Sequence, residues 1–196
     1  MTDQVTASIG CQSQHILFSL APTCADVERS SRMTQSFIDG AIKHAYAFLP
    51  AVGGNAACLP EPMQTVGIVD TAQGIIDNGG LEYFFESDFP HNPPYSLFVE
   101  AFRRIGADAV STCIELSADM FPFPHPHLHE AQRQQWIDSI KDNESHEFVL
   151  LSRKACGDEV VYKKLAEFVD RNRDAFGAVN TSIVEDSTRG PSDLWS

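Results

Sequence analysis

The 196-residue chain has no C-x-x-C pair and hardly any bases in its middle third. Nor does any apolar run come near the roughly 18 to 20 residues that a membrane span requires. Each absence excludes something. Five cysteines, Cys11, Cys24, Cys58, Cys113 and Cys156, are too scattered for a disulfide framework or a zinc knuckle. They read as reduced, buried thiols, which makes the cytoplasm the expected location. Met1-Thr2-Asp3-Gln4 carries no basic patch ahead of an apolar stretch, so no secretory signal is expected. No G-x-S-x-G elbow, P-loop, G-x-G-x-x-G or H-E-x-x-H occurs. A non-enzymatic protein without cofactor or resident metal is the expectation. Strand alternation and internal repeats are missing too, which leaves helices.

What is present is acid. Acids number 27 against 14 bases, a net charge of -13. Residues 61–130 hold 11 acids and only two bases, Arg103 and Arg104, so -9 of the total lies there. A field of that sign repels nucleic acid and the anionic membrane surface, and attracts basic proteins.

The apolar spacing predicts an all-α, compact multi-helix single domain. Residues 1–24 read as an arm, 25–177 as the helical domain and 178–196 as a polar tail. Phe37, Ala41, His44, Ala45 and Phe48 recur at helical steps in a segment from Ala25 to Leu49, which Pro50 closes. Val66, Val69, Ala72 and Ile76 mark a second helix from Pro62 to Asp77. Phe98, Ala101, Phe102 and Ile105 mark a third, with Gly106 placed as a left-handed cap. Val110, Cys113, Ile114, Ser117 and Phe121 face inward from Asp108 to Met120. Pro122, Pro124 and Pro126 forbid a helix through Phe121–His127. Asn143 is placed to cap a helix ending at Cys156, and a last helix is expected from Asp158 to Phe176.

Asn78-Gly79-Gly80-Leu81-Glu82-Tyr83-Phe84-Phe85 is the most specific stretch. Two glycines allow a sharp helix–helix corner, pinned by Tyr83, Phe84, Phe85 and Phe89. The stretch resembles the Asn-Gly-Gly-aromatic signature of a bacterial family of unknown function. Ile105-Gly106-Ala107 and Arg173-Asp174-Ala175-Phe176 are similar to two further markers of that family. The resemblance covers about residues 60–177. Where the family shows Phe, Gln and Asn in the corner, this chain has Leu81, Tyr83 and Ser87. The best-known member is an acidic, all-helical, dimeric DNA mimic that binds a transcription factor. By resemblance, then, the partner is a DNA-binding protein whose basic groove the carboxylates fill, and a homodimer is implied.

The residues expected to meet a basic partner are Asp77, Glu82, Glu86, Asp88, Asp108, Glu115 and Asp119. The last three fall within about 20° of one line on their helix at roughly 100° per residue. No base is expected on that stripe, because Arg103 and Arg104 sit three and four residues past Glu100 and neutralise it instead. An immunity-type inhibitor of a basic nuclease is an alternative with the same electrostatics. A different alternative, a small metal-dependent hydrolase, rests on His125, His127 and His129, with His91 or Glu130 as a further ligand. The prolines around those histidines read as an exposed loop.

Overall fold

The computed structural model describes residues 24–176, and their side chains from residue 35 onward. The expected arm, apart from Cys24, and the expected tail lie outside the described residues. Seven α-helices and no strand occur among them: α1 (Cys24–Phe48), α2 (Glu61–Glu86), α3 (Tyr95–Ile105), α4 (Asp108–Asp119), α5 (Glu130–Ile140), α6 (Glu147–Ala155) and α7 (Glu159–Arg171). The all-α expectation is met. No helix among the described residues is long and apolar enough to cross a membrane.

α2 is the axis of the fold and packs against α1, α3, α5, α6 and α7. Its buried face runs through Val66, Val69, Ala72 and Ile76, the period read from the sequence. Past the corner at Gly79-Gly80 the same helix turns Phe84 and Phe85 into the core, both fully buried. Phe84 stacks edge-on against Phe98 of α3 at 5.1 Å between ring centroids. Phe85 meets Tyr95 at 4.7 Å and Phe121 at 5.3 Å. The rings continue through Trp136 of α5 to Phe148 of α6. Each such pair adds about 0.5–1.5 kcal/mol beyond the area it buries, so these aromatics bind four helices into one core.

Several boundaries differ from the sequence expectation for local reasons. Gly106 has φ 82° and closes α3, its own N–H and that of Ala107 bonding back to Arg103 and Phe102 carbonyls. That cap is as expected. The last helix instead stops at Arg171, because Asn172 leaves helical geometry and its amide side chain donates to the Phe168 carbonyl at 2.8 Å. Arg173–Phe176 is a separate 3-10 turn. Asn143 does not cap α6. It forms a turn with Ser145, and His146 Nδ1 accepts the Phe148 N–H at the helix start. α5 has no counterpart in the sequence pattern. Only Arg133 and Ile137 of that helix are fully buried, and a charged residue in a core position hides the helical period. Cys113 is buried, but Cys58 and Cys156 are exposed thiols, which corrects the expectation for those two.

Gly67 and Gly74 lie in regular α2 helix with nothing within 4 Å of the place a Cβ would occupy. Neither is required by this fold. Gly67→Ala and Gly74→Ala should each stabilise by about 0.5–1 kcal/mol. The check is a higher urea midpoint at unchanged m-value.

Candidate partner-binding site

The acidic residues divide into those tied into the fold and those that face outward. The corner claims the first group. Gly80 has φ 71° and ψ -165° and is buried, while Gly79 leaves helical geometry at φ -160° and ψ 21°. The bend leaves the Leu81 N–H without a helical acceptor, and Ser152 Oγ of α6 accepts it at 2.8 Å. The Ser152 hydroxyl proton goes in turn to the Glu82 carboxylate. On the other side of the bend, Asp77 Oδ1 accepts from Gln73 at 2.6 Å and from the Gly157 N–H at 3.0 Å. Asp77 Oδ2 takes the Tyr162 hydroxyl at 3.1 Å. Burial, followed by that carboxylate, pushes the Tyr162 phenol up to about 12. Asp77 thus ties α2 to the α6–α7 turn.

Asp88 is held as well. Arg133 of α5 is only 2% exposed and donates to the Phe85 carbonyl, the Pro126 carbonyl and Asp88 at 2.8, 2.8 and 3.1 Å. Tyr83 corrects the expected aromatic cluster. It is 56% exposed, and its ring lies over Gly79, where an added Cβ would come within 2.1 Å of it. Gly79 is therefore required by the ring above it, and Gly80 by its positive φ together with the Ser152 and Glu82 oxygens beside it.

The outward group gathers between α3 and α4. A cleft of about 210 Å³ opens there, lined by Tyr95, Ser96, Val99 and Ala118 with the charges Glu100, Arg103, Glu115 and Asp119. Three carboxylates and one guanidinium share this lining. Arg103 pairs with Glu115 at 2.5 Å across the two helices. This overturns the expectation that the α4 stripe has no base and that both arginines serve Glu100. Arg104 does reach Glu100, at 3.3 Å, but it also turns inward to Gln64 at 2.9 Å and Thr65 at 3.3 Å. Adjacent positions on a helix point about 100° apart, so one arginine faces α4 and the other faces α2. Asp119 has no side-chain partner among the described residues. Asp108 stands exposed in the first turn of α4, where its charge suits the helix dipole, and it does not line the cleft. Glu86 is half-buried at the end of α2. Of the seven acids singled out from sequence, only Glu115 and Asp119 are brought together. Glu100, which the sequence pairs away with two arginines, joins them.

His125, His127 and His129 lie in and around a 3-10 turn, Pro126–Leu128. His127 is half-buried rather than exposed, its ring edge-on to Tyr95 with centroids 6.2 Å apart. His91 is bonded to the Gly53 carbonyl at 2.8 Å instead of joining the others. Among the described residues no three His, Cys, Asp or Glu side chains converge as a metal site.

A family model described as DMP19-like protein matches residues 57–172, more than half of the chain. That span lies within a few residues of the one the corner signature outlined. No curated protein and no solved structure matches.

Proposed function

The chain belongs to the DMP19-like protein family, and from that premise we propose that it is a non-enzymatic protein that binds a basic partner through its acidic face. The observation that carries the reading is the α3–α4 cleft, which Glu100, Glu115 and Asp119 line together with Arg103. A lysine or arginine of a partner entering there meets net negative charge. Charge complementarity of this kind speeds encounter and selects the partner more than it adds affinity.

Asp108 extends the same helix outward. From Asp108 to Asp119 the carboxylates span about 16 Å at 1.5 Å rise per residue, roughly the length of five base-pair steps. That dimension supports the finer reading, a DNA mimic whose carboxylates take the place of phosphates in the groove of a DNA-binding protein. Steering by this field would raise the association rate and make affinity fall with salt.

The test removes charge and keeps shape. Glu100→Gln, Glu115→Gln and Asp119→Asn together should leave the fold intact, because exposed ion pairs such as Arg103–Glu115 contribute less than about 1 kcal/mol each. Wild type and the triple variant are immobilised side by side and exposed to lysate of the native host at low and high salt. A basic protein held by wild type, released by salt and lost on the variant is the expected result. Titration of that protein should then show a shallower salt dependence for the variant. Retention equal on both, with equal salt slopes, removes the cleft from the binding surface.

A further inference from the structure

The segment from Pro122 to Glu130 backs onto the α3–α4 cleft. Tyr95 lines that cleft and also meets the His127 ring. The Pro126 carbonyl one residue earlier is held by Arg133, whose other bonds anchor the end of α2 through the Phe85 carbonyl and Asp88. His125 sits at φ 51°, a backbone state that non-glycine residues rarely adopt, so surrounding contacts must hold it there. Its ring centroid is 6.0 Å from that of His127. His129 immediately precedes α5 and faces Phe123.

The neighbours of His127 are therefore two more imidazoles in its own segment, the Arg133 guanidinium from α5 and the Tyr95 phenol from α3. Asp88 is the nearest balancing carboxylate, and it is engaged by Arg133. Glu130, exposed at the start of α5, is the next acid along the chain. A proton added to His127 is placed beside the Arg133 guanidinium, whose carboxylate partner Asp88 is already engaged.

We propose that this segment is an acid-sensitive latch on the cleft, in which protonation of His127 parts its ring from Tyr95 and loosens Pro126 from Arg133. Burial, then His125, Arg133 and His129, hold the His127 imidazole below its ordinary value of 6.5, in the direction this geometry requires. A group that binds its proton more weakly folded than unfolded leaves stability constant above the unfolded value. Stability then falls as pH drops from there through the folded value. The latch is therefore closed at neutral pH and opens on mild acidification. Only its effect on binding rests on the partner-binding reading of the cleft.

Two measurements on the full chain, without any partner, test the latch. Histidine ring titration by NMR should place His127 below its ordinary value of 6.5. Amide exchange, corrected for its intrinsic pH dependence, should show protection of Leu128, His129 and Arg133 at about pH 7.5 that is lost at about pH 5. These amides close the turn onto the His125, Pro126 and His129 carbonyls. His127→Gln, which cannot take the proton, should keep most of that protection at the lower pH. His127 titrating at or above 6.5, equal protection at both pH values, or an undiminished loss in the variant would each overturn the latch. Should the variant not fold, the wild-type titration decides alone. Partner capture at the two pH values is a separate arm: loss of protection with unchanged capture keeps the latch and disconnects it from binding.

Discussion

Gly80→Val is expected to destabilise the protein by about 3–5 kcal/mol, enough to leave much of it unfolded. Two independent effects contribute. At φ 71° and ψ -165° the backbone is in a region open in practice only to glycine, and a β-branched residue there costs about 1–3 kcal/mol. A Cβ would also stand 2.3 Å from Ser152 Oγ and 2.6 Å from Glu82 Oε2, so both must move. Moving Ser152 removes the acceptor of the Leu81 N–H, which is buried. Gly80→Ala should cost slightly less, because its clash is the same and its backbone strain milder. Ser152→Ala, which removes the Ser152 clash but leaves that of Glu82 and abandons the N–H, should not rescue either variant. Urea unfolding followed by circular dichroism gives these values. A loss below about 1 kcal/mol for Gly80→Val would mean that the corner does not have this conformation.

Arg133→Ala is expected to cost about 3 kcal/mol, from a residue with no place in a hydrophobic pattern. Its guanidinium serves two backbone carbonyls and one carboxylate, three directions that only a planar fork satisfies at once. Without it, the buried Phe85 carbonyl loses its donor, at about 1–3 kcal/mol for an orphaned group, while the Pro126 carbonyl keeps only the His129 N–H. Asp88 is solvent-exposed and recovers its hydration, so its share is small. Arg133→Lys should restore only part, because an ammonium cannot span all three acceptors. Differential scanning calorimetry on the three proteins orders them wild type, Lys, Ala. An Arg133→Ala melting temperature within a degree of wild type would show that the clamp contributes nothing.

The helices legible in the sequence are those whose core faces are filled by aliphatic and aromatic side chains, such as α2 before its corner, α3 and α4. The cap at Gly106 was legible for the same kind of reason, since a local conformation demands a residue type. α5 was illegible because its inward positions include Arg133, and a buried charge looks like a surface residue until its partners are known. The end of α7 was misplaced because the apolar spacing carries on to Phe176 while the backbone stops at Asn172. The candidate site was half legible. Glu115 and Asp119 share a helix face, which periodicity reports, but Glu100 and Arg103 reach them from another helix.

The sequence by itself determined that the protein is acidic, helical, centred on charge in residues 61–130 and bent at Gly79-Gly80. These properties follow from composition and from interactions within a few residues, which a linear pattern records. Tertiary structure alone decided which carboxylates are free. Asp77, Glu82 and Asp88 look like surface acids in the chain, yet each meets a donor 45 or more residues away, at Gly157, Ser152 or Arg133. An isolated carboxylate and a satisfied one are the same residue type, and only packing brings the donor within hydrogen-bond reach.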